Sequence, residues 1–313
     1  MQNYKSKFKK VLLKAVPLWM VIIIGINSTF VVGFAQYYFL RQEFQKNLQA
    51  LAKTTQSPEE LIQVLKQQVL PQTGYKTPLK WKDLGKQLVE AGAIDRKKYE
   101  EIFVSEADGS DHMKYLDGSW DESMIINEKN SRFMVNTLWA LGLVQKSKVL
   151  DAGPMRTGGN PTANFASTAG WTLGGKPAME LYSSATIIPL TDEQQELVKK
   201  IAENVFRPCC GNSTAFPDCN HGMAALGYIE LAIYNGLSEN QIYKDLLAFN
   251  SYWFPQTYVE IAAYFDKAGT KWKDVDAKLA LSNDYSSAQG ATRIKQSVQG
   301  IPGIQNSGGG CGV

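Results

Sequence analysis

The stretch LTDEQQELVKKIAENVFRPCCGNSTAFPDCNHGMAALGYIELAIYNG runs from Leu190 to Gly236. Thr191 followed by Gln194 is a T-x-x-Q capping box, and the apolar residues after it recur at helical spacing, so a helix starts here. A second helical run, HGMAALGYIELAIYNG, ends at Gly236, as a C-terminal glycine ends many helices. Between them lies Arg207 to Gly222, with three of the chain's four cysteines and one of its two histidines. The stretch therefore reads as two helices joined by a loop rich in metal-ligating and redox-capable side chains.

Helix signals continue on both sides. Ser57, Pro58 and Glu60 supply an N-cap, a proline at the first helical position and a capping box. Lys80–Val104 reads as two short helices, with Gly92 ending the first and Asp95 capping the second. Asn130–Gln145 is apolar at helical spacing, with Phe133, Leu138, Leu141 and Leu143 as core. Ser238 and Gln241 open another helix, Pro255 and Gly269 bound the next, and Asp274–Val298 is a weaker helical stretch. In the aromatic-rich stretch after Asn250, Trp253, Phe254, Tyr258 and Tyr264 read as core. Strand signals are few, the best being SSATIIPL (Ser183–Leu190). The fold class is mostly α with long irregular loops, notably Ser105–Glu122 and the Gly-, Pro-, Asn- and Thr-rich segment 151–180.

The amino-terminal region has a different character. Lys5, Lys7, Lys9, Lys10 and Lys14 precede Ala15–Leu40, 26 residues without a charge. As a helix this run would reach about 39 Å, more than the ~30 Å hydrocarbon core of a bilayer. Trp19 at one end and Tyr37 and Tyr38 at the other suit the two interfaces, and the lysines place the amino terminus in the cytoplasm. The expected organisation is a basic cytoplasmic tail (1–14), a transmembrane helix (15–40), a stalk (41–56), a helical extracytoplasmic domain (57–300) that could divide within 151–180, and a Gly-rich tail (301–313). Two rival readings are a signal peptide cleaved after Ala35, for which the apolar run is long, and a buried helix of a soluble protein. The expected partner is the membrane, through residues 15–40. The net charge of +3, from 33 basic and 30 acidic residues, does not point to nucleic acid.

Cys209, Cys210, Cys219 and His221 are spaced C-C-x8-C-x-H. Thiolate and imidazole together suit a soft or borderline ion, zinc or copper, or an iron–sulfur centre. The spacing matches no common zinc finger, and C-x-H is only half of a Rieske ligand set. Cys209 and Cys210 are expected just past the C-terminus of one helix. Asp218 or Asn220 is expected to cap the next, leaving Cys219 and His221 at its positive N-terminus, where a thiolate and a neutral imidazole are favoured. Three uses stay open: a metal site, a thiol–disulfide redox site with Cys219 attacking, and a disulfide from Cys219 to Cys209 or Cys210 that staples a structural or interaction protein. An oxidising exterior makes the last a serious rival. Cys311, in GGGCGV, reads as an incidental cysteine on a Gly-rich tail; the alternative is a tethered sulfur that swings in as a further ligand or a resolving thiol.

RPCC…DCNHG, followed by a helix, the Gly-Leu-Ser turn and a second helix (AIYNGLSENQIYKDLL), resembles the exported PCYCGC-motif cysteine-cluster proteins over about Arg207 to Phe249. The resemblance implies an exported, thiol-rich site suited to metal, and supplies no reaction. This chain has Cys209-Cys210 where that family has alternating cysteines, and it lacks the family's later C-x-x-C.

Other patterns are weaker. Asp117, Ser119, Asp121, Ser123 and Glu128 fall at the ligand positions of an EF-hand loop, but Glu122 stands where a glycine is needed, so the ordinary reading is a solvated acidic loop. His112 reads as a surface histidine. The segment 151–180 has no G-K-[ST] and is not a P-loop; it reads as a surface loop or as a lid near the cysteine cluster. No nucleophile elbow is present, and whether the chain is an enzyme is left open.

Overall fold

The computed structural model describes residues 36–44, 46, 57–104, 109–302 and 304. The chain divides into two units, 1–57 and 58–313. In the first, residues 36–44 and 46 are helical, with Tyr37, Tyr38, Phe39 and Leu40 exposed. Apart from residues 36–40, the span expected over 15–40 lies outside the described residues. Among the described residues, no helix is long and apolar enough to cross a membrane. Cys311 also lies outside them.

The second unit is mostly helical. Its main helices are α1 (Pro58–Val69), α2 (Leu84–Glu90), α3 (Arg96–Phe103), α4 (Ser131–Val144), α5 (Asp192–Ala202), α6 (Asn220–Tyr234), α7 (Glu239–Trp253), α8 (Pro255–Lys267) and α9 (Ala288–Val298). Sequence signals mark many of their ends. Asp95 accepts from the Lys97 and Lys98 amides, Thr191 and Gln194 form the reciprocal box, and Ser238 accepts from the Gln241 amide. Gly92, Gly236 and Gly269 all take positive φ, which costs glycine least.

The centre of the unit is the pair α4 and α6. Both are apolar around most of their circumference, the pattern of a helix buried on all sides, and nearly every residue from Phe133 to Val144 and from His221 to Ile233 is buried. They approach backbone to backbone at Gly142 and Gly227. A Cβ on Gly227 would lie 2.5 Å from the Leu138 carbonyl oxygen and 2.7 Å from the Gly142 nitrogen. The expected core residues Phe133, Leu138, Leu141 and Leu143 are all buried here, while Trp253, Phe254 and Tyr264 are half-buried and Tyr258 fully buried.

Three local expectations are corrected. An antiparallel pair, β1 (Tyr75–Lys82) and β2 (Trp120–Ile126), takes in the expected helix start at Lys80–Lys82 and the end of the expected loop at Trp120–Glu122. Thr77, Leu79 and Trp81 face inward while Lys76, Pro78, Lys80 and Lys82 face out, the two-residue period of a half-buried strand. Strand β2 runs through the middle of the Asp117–Glu128 spacing, where a solvated acidic loop is expected. Asp117 instead pairs with Arg96, and Asp121 with Lys80 and Lys82. SSATIIPL forms no strand and contributes a single bridge, Ala185 to Gln145. The segment 151–180 is a chain of short helical turns, held by hydrogen bonds from Trp139 Nε1 to the Ser167 carbonyl and from Trp171 Nε1 to the Ala93 carbonyl.

Because backbone atoms cannot yield as a side chain can, Gly227→Ala is expected to cost about 1–3 kcal/mol or more by overpacking. Chemical denaturation midpoints of the two proteins measure it, and an unchanged midpoint would contradict the close crossing.

Candidate metal centre

Helix α5 ends at Ala202, seven residues before Cys209, so the turn after it, and no helix terminus, delivers the first two cysteines. The loop is tied back on itself. The Thr214 amide and hydroxyl both donate to the Val205 carbonyl, and the Ala215 amide donates to that of Ala202. The Phe206 amide donates to Leu281, and Asn250 Nδ2 donates to the Phe206 carbonyl. These bonds send the next residue, Arg207, into the interior, where its side chain is 1 % exposed.

A buried guanidinium must have its donors satisfied from within the protein. Arg207 Nη1 donates to the Asn212 carbonyl at 2.9 Å, and Nη2 donates to the Phe216 carbonyl at 3.1 Å and Asp218 Oδ1 at 2.6 Å. Its Nε donates to Cys219 Sγ at 3.1 Å. Asn212 Nδ2 donates to the other Asp218 oxygen at 2.8 Å. The guanidinium lies so close over Gly222 that a Cβ there would meet Cζ at 2.5 Å.

The N-cap of α6 is Cys219 itself, whose sulfur accepts from the Gly222 amide at 3.4 Å. Neither residue expected to cap does so: Asp218 pairs with Arg207, and Asn220 Oδ1 accepts from the His221 amide. Cys209 Sγ lies 3.4 Å from Cys219 Sγ, and the sulfurs of Cys209, Cys210 and Cys219 all lie within 4.8 Å of one another. Cys210 Sγ also sits 3.8 Å from the Asn212 carbonyl and 3.8 Å from Asp218 Oδ1. All three cysteine side chains are partly exposed.

The three thiols are electrostatically unlike. Hydrogen bonds from Cys209 and then Cys210, with the charge and Nε–H of Arg207, hold Cys219 well below the ordinary thiol range against the opposing effect of burial. Cys209 is pushed up by its contacts with Cys210 and Cys219 and by burial. The Cys209 contact pulls Cys210 down, yet Cys219 and burial carry it up to about 11. The Cys219 thiolate therefore has the Cys209 thiol against it at 3.4 Å, with Cys210 close by.

His221 is placed differently from the sulfurs. It is outside the group that falls within 4.8 Å, and its ring packs on Phe254 with centroids 4.4 Å apart and on Trp253 at 5.7 Å. Its Nδ1 is buried and accepts or donates no hydrogen bond. Burial lowers its pKa to about 4, with the charge of Cys219 opposing and that of Arg207 assisting. The ring is thus neutral near pH 7, the form that ligates metals.

The segment 151–180 adjoins the loop: the Ser167 amide donates to the Asp218 carbonyl at 3.0 Å, and Phe165 meets Phe216 edge to face. Cys210 carries the other wall, its carbonyl accepting from the Ala288 amide at the start of α9. Asp218, Asn212 and Gly222 are the residues that sequence reading did not assign to the site. The one signal for them was an Arg and an Asp bracketing a short loop that ends at a helix.

No protein-family model matches the chain, and neither a curated protein nor a solved structure matches it.

Two outcomes are expected in the metal-free protein. Gly222→Ala displaces the guanidinium, so Cys219 titrates nearer the ordinary thiol value; the pH profile of iodoacetamide labelling at Cys219 reads this, and an unshifted profile contradicts it. His221 binds its proton at about pH 4 when folded and near 6.5 when unfolded, so the unfolded state takes up more protons across that window. Stability then falls by up to about 3 kcal/mol as pH drops from 6.5 to 4, and His221→Phe should remove that portion from urea denaturation curves at the two pH values.

Proposed function

We propose that the chain binds one soft or borderline metal ion, zinc or copper, through the thiolates of Cys209, Cys210 and Cys219, with His221 as fourth ligand. The observation that carries this reading is the gathering of three sulfurs within 4.8 Å. Metal–thiolate bonds of about 2.3 Å in tetrahedral geometry put ligand sulfurs about 3.8 Å apart, so the trio needs little rearrangement. Arg207 supports it further, because a buried positive charge offsets the surplus negative charge of three thiolates on one ion. His221 Nδ1 is buried without a partner, and service as the fourth ligand, which requires the ring to leave its present packing on Phe254, would give it one. A fully liganded ion leaves no open position for substrate, which favours a structural or carrier role over hydrolysis.

The lysine-rich start and the uncharged run 15–40 support a placement of this domain on the outer side of a membrane, held by that span. The partial likeness of Arg207–Phe249 to exported cysteine-cluster proteins agrees with it.

A second reading, thiol–disulfide redox chemistry at the same cysteines, is favoured by the 3.4 Å contact of Cys209 and Cys219 and by the thiolate character of Cys219. Elemental analysis of anaerobically purified protein separates the two. The metal reading expects close to one ion per chain, lost on Cys209→Ser or Cys219→Ser. A metal-free protein whose thiol count changes between two redox potentials would replace it with the redox reading.

A further inference from the structure

We infer that oxidation of one particular pair, Cys209 with Cys219, is the step that releases the metal; this rests on the metal reading above. Of the three pairings, the geometry favours one. Cys209 and Cys210 are neighbours in sequence, and a trans peptide sets their Cα atoms about 3.8 Å apart, short of the roughly 4.4–6.8 Å that disulfides span. Cys210 Sγ is turned toward the Asn212 carbonyl and Asp218 Oδ1. Cys209 Sγ and Cys219 Sγ are already in contact at 3.4 Å, and bonding them asks only for a small approach of two side chains.

The chemistry balances with a small disulfide, R–S–S–R, as oxidant. Cys219 thiolate attacks one of its sulfurs; the new Cys219–S–S–R bond forms, the old S–S bond breaks, and RS⁻ leaves. Cys209 thiolate then attacks the Cys219 sulfur, forming the internal disulfide and expelling the second RS⁻. The pair gives up two electrons to the oxidant, and the metal leaves with its oxidation state unchanged because two of its three thiolate ligands are gone. A dithiol runs the sequence backwards.

The surrounding structure suits a reversible step. Arg207 keeps Asp218 and the carbonyls of Asn212 and Phe216 after losing only its Cys219 contact, so the loop need not unfold. The partial exposure of all three cysteines admits a small reagent.

The test uses the full chain carrying Cys311→Ser, reduced anaerobically and loaded with Zn²⁺ alone. Oxidised glutathione is then titrated in against a weak chromogenic chelator. The expected result is one zinc released for every two thiols lost, Cys210 still open to alkylation, a Cys209–Cys219 link in fragment mass spectra, and zinc recovered with dithiothreitol. Cys210→Ser should still form the disulfide, and Cys209→Ser should not. Zinc retained after two thiols are lost, or a link through Cys210, overturns the release step while leaving the metal reading intact. Failure of the reduced protein to take up zinc overturns both, and is recognised before any oxidant is added.

Discussion

A guanidinium shut away from water has to find its partners inside the protein, and Arg207 finds all of them within fifteen residues of itself. The carbonyls of Asn212 and Phe216, the carboxylate of Asp218 and the sulfur of Cys219 converge on one planar group. An unpaired charge in such a place would cost several kcal/mol. The loop from Arg207 to Cys219 therefore has one satisfactory shape, and in that shape three sulfurs are neighbours. Gly222 belongs to the same constraint, since only a residue without a side chain lets the guanidinium lie on the first turn of α6.

That loop can be rigid because α6 is. The helix is gripped by α4 through the Gly142–Gly227 crossing and by α5 along its flank, and it takes even a carboxyl, Glu230, into the apolar interior. Burial pushes the Glu230 carboxyl well above the usual carboxylate range. Asp245 of α7 accepts hydrogen bonds from Tyr228 on α6 and Tyr75 on β1, which joins the small sheet to the same helix. The site thus stands at the end of the best-held element of the unit, and its N-cap is one of its own sulfurs.

Much of the helical framework was legible in the sequence because caps and periodicity are local. Thr191 with Gln194, Asp95, Ser238, Pro255 and the glycines at 92, 236 and 269 act within one turn of themselves. The two strands were less legible. The Thr77–Leu79–Trp81 alternation is short, is interrupted by Pro78, and pairs with a partner some forty residues away that reads as a polar loop. The acids from Asp117 to Glu128 read as a solvated loop, because the pairing that makes a strand of their middle is with residues of β1 some forty positions away.

For the site, the sequence by itself determined the inventory: three cysteines and a histidine within thirteen residues, next to a helix start. Composition and spacing act along the chain, so they can say which groups are near in sequence. Which groups meet was decided by tertiary structure. Burial of Arg207 selected Asp218 as its ion-pair partner and left Cys219 to cap α6. It also set Cys209 against Cys219, while packing on Phe254 turned the His221 ring to its own wall. The physical reason is that desolvation is a property of the folded interior. The same arginine exposed to water would have had no need to gather the loop around itself.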